Sequence, residues 1–268
     1  MTPRVLVLES RMPDVLVALG HQAGWEVICA PAVVEWDVDP EEVRAPLERL
    51  CAREVDWVVL QTGTGTERLY RLAEHLGLGQ ACLEALRTIP IAVRGPKPTA
   101  VLQRWGIRPT LAAPSPYTTA ELCAALDPVP LASKTVFVQH YGERNEALRA
   151  YLLGRGAAVV DAQPYRWMLP PDPRPLREAV RDLVEGAFSA LLVTSRPQVT
   201  HLFRVAEELG CAEMLREALN DRVTVAVVGP VSRQALLDRG VRVSVEPEHP
   251  KMKPLIDALR EHLRGVET

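Results

Sequence analysis

Several classes of protein are excluded by what these 268 residues lack. No apolar run approaches the ~18 residues of a membrane-spanning helix, so no membrane partner is expected. The opening stretch, MTPRVLVLESRMPD, carries Glu9 and Arg11 too early for a signal peptide and reads as a strand. Five cysteines (Cys29, Cys51, Cys82, Cys123, Cys211) form an odd set with no CxxC spacing. That argues for reduced thiols in a cytoplasmic protein, against a zinc site and against a disulfide scaffold. Lysine is scarce: only four of the 31 basic residues are Lys (97, 134, 251 and 253). The net charge of -3 gives no reason to expect nucleic acid. Guanidinium pairs well with carboxylate and phosphate, however, so an arginine-rich chain can still build a local anion cleft.

Familiar catalytic signatures are missing too. Gly63-Thr64-Gly65 follows a strand and opens a helix, but Arg68 stands where a dinucleotide fingerprint needs its third glycine. No ribose-binding acid follows, and there is no GxxxxGK[ST] phosphate loop. The six histidines show no metal spacing and read as packing or solvated residues. No GxSxG elbow occurs. Neither a metal nor a nucleotide cofactor is expected.

What the chain does have is a regular alternation. Short apolar runs (RVLVLES, WEVICAP, DWVVLQT, IPIAVRG, KTVFVQH, AAVVDAQ, SALLVTS, VTVAVVG, VRVSVEP) alternate with amphipathic helical stretches. Strands that are apolar throughout and separated by helices predict parallel sheets covered on both faces, an α/β fold. Gly24, Gly77, Gly156, Gly210 and Gly240 stand where helices should end.

The alternation is also duplicated. LQTGTGTERLYRLAEHLG (60–77) aligns with VTSRPQVTHLFRVAEELG (193–210). IAVRGPKPTAVLQRWGI (91–107) aligns with VAVVGPVSRQALLDRGV (225–241). RVLVLESRMPDVLVALGHQAGWEVICAP (4–31) resembles TVFVQHYGERNEALRAYLLGRGAAVVDAQP (135–164). A repeat of this length is a duplicated domain rather than a solenoid. Two proline-bearing segments at equivalent places, 30–48 and 164–179, read as extended connectors.

The candidate site residues come from the duplicated strand ends, where open α/β sheets bind ligands. Thr62, Gly63 and Thr64 in one copy, and Thr194 and Ser195 in the other, place hydroxyls and backbone amides at a helix start, which suits an anion. The same residues also serve as ordinary helix caps. The Gly95-Pro96 and Gly229-Pro230 turns line the same edge, with Thr99 and Ser232 as hydroxyl donors. They are equally compatible with helices that simply begin at Pro. Tyr165, beside Arg166 and Trp167, reads either as an amphipathic residue at a lobe edge or as a proton donor in a cleft. A phenol of ordinary pKa ~10 is protonated at neutral pH.

Three stretches together carry a resemblance to a known family. They are VTVAVVGPVSRQALLDRGVRVSVEPEHPKMKPLIDAL (223–259), LLVTSRPQVTHLF (191–203) and GERNEALRAYLLGRGAAVVDAQPYRW (142–167). In this order they resemble the uroporphyrinogen-III synthase family. Ser232 stands where that family's Gly-Pro turn has threonine, and Arg11 lies in a Glu-Ser-Arg context rather than Thr-Arg-Pro. The resemblance implies two similar Rossmann-like or flavodoxin-like lobes, 1–36 with 172–268 and 37–171, joined by the two connectors around an active cleft. It implies a cofactor-free, cyclising hydro-lyase of heme biosynthesis. Its substrate would be hydroxymethylbilane, possibly passed on by hydroxymethylbilane synthase, and its product uroporphyrinogen III. By that similarity Tyr165 assists departure of the hydroxyl. Arg11, Thr62, Gly63, Thr64, Gly95, Thr99, Arg144, Ser195, Arg196, Gly229 and Ser232 bind substrate. A monomer is expected. The competing reading is a non-catalytic two-lobe module that binds an anion or a tetrapyrrole.

Overall fold

Valine- and leucine-rich runs of four or five residues cannot bury themselves alone, and here helices cover them. The computed structural model describes residues 2–10 and 13–266. The chain opens with β1 (Arg4–Val7), α1 (Pro13–Gln22) and β2 (Glu26–Cys29). It passes through β3 (Val34–Asp37) and a short 3-10 turn into α2 (Arg44–Cys51). β4 (Trp57–Leu60), α3 (Gly63–His75), α4 (Gly79–Thr88), β5 (Ile91–Val93), α5 (Pro96–Arg104) and β6 (Leu111–Ala112) follow. Next come α6 (Thr119–Leu126), β7 (Thr135–Gln139), α7 (Glu146–Gly154), β8 (Ala158–Ala162) and β9 (Tyr165–Met168). The last third holds α8 (Arg174–Glu185), β10 (Ala190–Val193), α9 (Arg196–Glu208) and α10 (Ala212–Asp221). It ends with β11 (Thr224–Val227), α11 (Pro230–Leu237) and α12 (Met252–Val266).

These elements form two units. A terminal unit contains Met1–Val34 and Met168–Thr268, and a central unit contains Glu35–Trp167. The central unit is a five-stranded sheet in the order β6-β5-β4-β7-β8, parallel throughout. Successive strand residues serve opposite faces. Val58, Leu60 and Phe137 pack with Leu47, Leu50, Leu69 and Leu86 of α2, α3 and α4. Val59, Val136 and Val138 pack with Leu122, Leu126, Leu148 and Leu152 of α6 and α7. Each such side chain contributes about 1.5–3 kcal/mol by leaving water.

The terminal unit repeats this plan with four parallel strands in the order β11-β10-β1-β2. Val5, Val7, Ala190 and Leu192 pack on one face with Leu16 of α1 and Leu255 and Leu259 of α12. The expected strand VRVSVEP is reduced to one parallel bridge, Ala226 to Val245. It keeps the edge position that β6 holds in the central unit. There the Val225 amide turns to the Ser244 hydroxyl at 3.3 Å instead of to a backbone carbonyl. Pro247, which has no N–H to offer, follows close behind.

In both sheets the strand order reverses at one place. In the central unit it is between β4 and β7, and in the terminal unit between β10 and β1. The crevice outside the strand ends at such a point is where open α/β sheets hold ligands. The two connectors also adopt strand structure, with β3 and β9 pairing as a two-stranded sheet.

Candidate functional site

In the central unit, the end of β4 leads directly into α3. Thr62 is the extended N-cap residue (φ -142°, ψ 148°), and its Oγ1 accepts from the Gly65 amide at 3.0 Å. The Thr66 hydroxyl donates to the Thr62 carbonyl at 2.8 Å. Gly63 lies against the turn before α5, where a Cβ would come 3.1 Å from the Lys97 carbonyl oxygen. That turn depends on Gly95, which has φ 154° and would put a Cβ 3.1 Å from the Tyr117 side chain.

The other lining comes from β9 and the loop after β7. Tyr165 is 1% exposed. Its hydroxyl lies 3.5 Å from Thr62 Oγ1, and the Arg68 guanidinium sits 4.9 Å above its ring. Arg68 is itself held by Glu35 at 2.9 Å and Asp37 at 2.8 Å, both on β3. Trp167 meets Tyr165 edge-on at 6.5 Å between centroids and stacks on Tyr141 at 5.2 Å. Arg94 lies 4.8 Å over the Tyr141 ring, and burial pushes its pKa down against the pull of Tyr141 and Tyr165. Only glycine fits at 142, because a Cβ there would fall 2.2 Å from the Trp167 ring. Arg144 is half-exposed and pairs with Glu146 at 3.8 Å.

Behind this edge is a buried polar network. Gln139 Oε1 accepts from the Gln61 and Thr62 amides at 3.1 and 3.3 Å. Asn145 Nδ2 donates to Gln61 Oε1 at 2.7 Å and to Thr119 Oγ1 at 2.8 Å. The Asn145 amide donates to His140 Nδ1 at 3.1 Å, so the ring proton sits on Nε2, which faces Asp161 at 2.7 Å. Burial pushes the His140 pKa below its ordinary value, against the pull of Asp161.

In the terminal unit, Ser195 is the extended N-cap residue of α9 (φ -154°, ψ 152°). Gln198 Oε1 accepts from the Thr194 and Ser195 amides at 2.8 and 3.2 Å. The Thr194 hydroxyl donates to Glu9 Oε2 at 2.6 Å. Arg196 is exposed. Gly229 is extended, with room limited by Pro250, whose Cβ would lie 3.1 Å from an added Cβ.

The sequence-selected residues thus fall into two groups. Thr62, Gly63, Thr64, Gly95, Thr99, Arg144 and Tyr165 belong to the central unit, and Ser195, Arg196, Gly229 and Ser232 to the terminal unit. Arg11 lies outside the described residues. Two of the expected hydroxyl donors are differently engaged. Thr99 gives its proton to the Gly95 carbonyl at 2.9 Å, and Ser232 is 2% exposed. Thr99 sits in the first turn of a helix that starts at Pro96, so its hydroxyl falls back against that turn. Gln61, Gln139, Arg68, Arg94, Tyr141 and Trp167 escaped sequence reasoning. One signal was available: a glutamine directly follows a fully buried run in both DWVVLQ and KTVFVQ. Among the described residues, no three His, Cys, Asp or Glu side chains converge as a metal site would require.

The chain was compared with known proteins. A family model described as uroporphyrinogen-III synthase HemD matches residues 14–257. A mutant uroporphyrinogen III synthase from the extremely thermophilic bacterium Thermus thermophilus is similar over 99% of both chains, at 27% identity and a TM-score of 0.82. The uroporphyrinogen-III synthetase of Helicobacter pylori shares the fold at 17% identity and a TM-score of 0.54, over 98% of this chain and 100% of that one. Among curated sequences, the uncharacterized protein YjjA of Bacillus subtilis is 30% identical, over 98% of this chain and 97% of its own.

Proposed function

Because the chain belongs to the uroporphyrinogen-III synthase family, we propose that it cyclises hydroxymethylbilane to uroporphyrinogen III. The family and the fold are those of an enzyme of tetrapyrrole synthesis. On this reading the bilane loses its hydroxyl as water. The azafulvene-type electrophile left behind closes through a spiro intermediate, and the last ring emerges inverted. Nothing is oxidised or reduced, so the reading calls for no redox cofactor. The observation that carries it is the family match, which runs through both units from residue 14 to residue 257.

Each residue role is part of the same proposal. The substrate's carboxylates meet the Gly63 and Thr64 amides and the Thr62 and Thr64 hydroxyls on one lobe and the Ser195 hydroxyl on the other, with Arg11, Arg144 and Arg196 adding charge. Gly95 and Gly229 line the edge through their backbone. Tyr165 supplies the proton to the departing hydroxyl. Holding a flexible bilane so that attack at the inverted position wins accounts for much of the rate. The bilane arrives from hydroxymethylbilane synthase in the cytoplasm, and the enzyme works as a monomer.

The test is a coupled assay. Hydroxymethylbilane is generated by its synthase, and the products are oxidised to porphyrins and separated as isomers I and III. Enzyme-dependent isomer III is the expected outcome. Isomer I alone, which forms unaided, would replace the enzyme by a tetrapyrrole-binding module.

A further inference from the structure

The two copies of the duplicated turn satisfy the same pair of amides in different ways. In the terminal unit the cap is local: Gln198, on α9 itself, accepts from Thr194 and Ser195. The repeat puts Gly65 where Gln198 stands. The matching amides of Gln61 and Thr62 are taken instead by Gln139, from the end of the neighbouring strand β7. Gln139 is 0% exposed, and a Cβ on Gly65 would lie 2.0 Å from its Nε2. Its counterpart in the other copy is Leu8, also buried. Glycine at 65 and glutamine at 139 are therefore two halves of one device. The helix gives up a side chain, and the adjacent strand supplies the cap.

The exchange changes what the turn is tied to. Gln198 Nε2 turns to Thr194 Oγ1 at 2.9 Å and Glu9 Oε2 at 3.5 Å, close to the turn it caps. Gln139 Nε2 donates to the His140 carbonyl, and Gln61 Nε2 donates to the Gln139 carbonyl at 3.1 Å. Through Asn145, His140 and Asp161 the same chain of bonds reaches α6, α7 and β8. The chain leads from β8 into β9, which begins at Tyr165. Thr62 is thus located relative to the strand that delivers Tyr165, and not only relative to its own helix. Thr62 Oγ1 lies 3.5 Å from the Tyr165 hydroxyl.

We infer that Gln139 is a positioning residue, which holds the Thr62 hydroxyl against the Tyr165 phenol by gripping the Thr62 amide. The inference rests on the assignment of Tyr165 proposed above. Gln139 itself does not touch substrate.

The test exchanges the device. Gly65→Gln with Gln139→Leu gives the central unit the pair with which the terminal unit folds. The thermal midpoint, kcat, KM and isomer ratio are measured. So is the fluorine resonance of fluorotyrosine at position 165, assigned by its loss in Tyr165→Phe. The expected result is a folded protein with KM within about twofold of wild type, kcat at least tenfold lower and a shifted resonance. Unchanged kcat and resonance, with wild type making isomer III, would overturn the inference. Because a Cβ at 65 would also fall 2.7 Å from Thr62 Oγ1, Gln139→Met alone, which removes the oxygen that accepts from the Gln61 and Thr62 amides and keeps Gly65, is measured as well. It should lower kcat threefold or more and move the resonance, and no change in either overturns the inference. If wild type makes no isomer III, the proposed function fails and the resonance alone decides. Unshifted in Gln139→Met, it refutes positioning by Gln139. Shifted, it supports Gln139 as the positioning residue of a site with other chemistry.

Discussion

Removing one oxygen from Tyr165 separates packing from chemistry. Tyr165→Phe keeps the ring on which Arg68 rests and which Trp167 meets edge-on. It removes the hydroxyl that lies 3.5 Å from Thr62 Oγ1. Stability should stay within about 1 kcal/mol of wild type. In the isomer assay kcat should fall about 100-fold or more if the phenol is the general acid. An unchanged kcat would remove Tyr165 from the chemistry. Tyr165 and Thr62 were legible in the sequence because local signals mark both: a strand end before a proline-rich connector, and a threonine at a helix start. Arg68 was not. In the sequence it is only the residue that breaks a glycine pattern. Its place over the Tyr165 ring depends on contacts with β9 and β3, which no local pattern encodes.

A single side chain decides how α7 begins. Asn145 Oδ1 accepts from the Leu148 amide at 3.2 Å, while its Nδ2 serves Gln61 and Thr119. Asn145→Ala removes the cap, worth about 1 kcal/mol. It also leaves the buried Gln61 carbonyl oxygen without its Asn145 donor, which costs about 1–3 kcal/mol more. A loss of roughly 2–4 kcal/mol is expected by urea unfolding, and a loss below about 1 would mean the network relaxes around the gap. The same scale shows why most elements could be read in advance. DWVVLQT, KTVFVQH and SALLVTS became β4, β7 and β10 because strands buried on both faces are apolar without alternation. Gly77 and Gly210 end their helices at φ 74° and 70°. VRVSVEP carries the right residues for a strand, yet it keeps one bridge, Ala226 to Val245. β3 and β9 went unread as strands, since each is flanked by proline and pairs only with the other.

At the level of the whole molecule, each unit contains a buried histidine whose pKa burial pushes down. His140 is in the central unit and His201 in the terminal unit, where its Nδ1 lies 2.7 Å from the Ala32 carbonyl. The charged groups acting on them are Asp161, Arg144 and Glu146 for His140, and Arg204 for His201. The folded state keeps both rings neutral, whereas the unfolded chain binds protons below about pH 6.5. Their stabilisation is therefore complete above that pH and declines as pH falls toward the lower folded values, by at most about 1.4 kcal/mol per pH unit for each ring. Asp161 acts in a different window: burial raises its pKa, but bonds from His140 and Arg149 outweigh this, so its contribution is lost only below about pH 4. Denaturant midpoints should fall between pH 7.5 and 5.5, and His140→Gln should flatten the central unit's share. A constant midpoint would contradict buried neutral rings. The partition of the chain also sets an order of events during synthesis. β1 pairs with β10, and the Arg4 backbone amide donates to the Ser189 hydroxyl 185 residues away. At a ribosomal rate of about 5–20 residues per second, the first strand waits roughly 10–40 s for that neighbour. Every residue of the central unit emerges during that wait. The nascent N-terminal arm, with its apolar strand and an open edge, is then the part of the protein most in need of a chaperone.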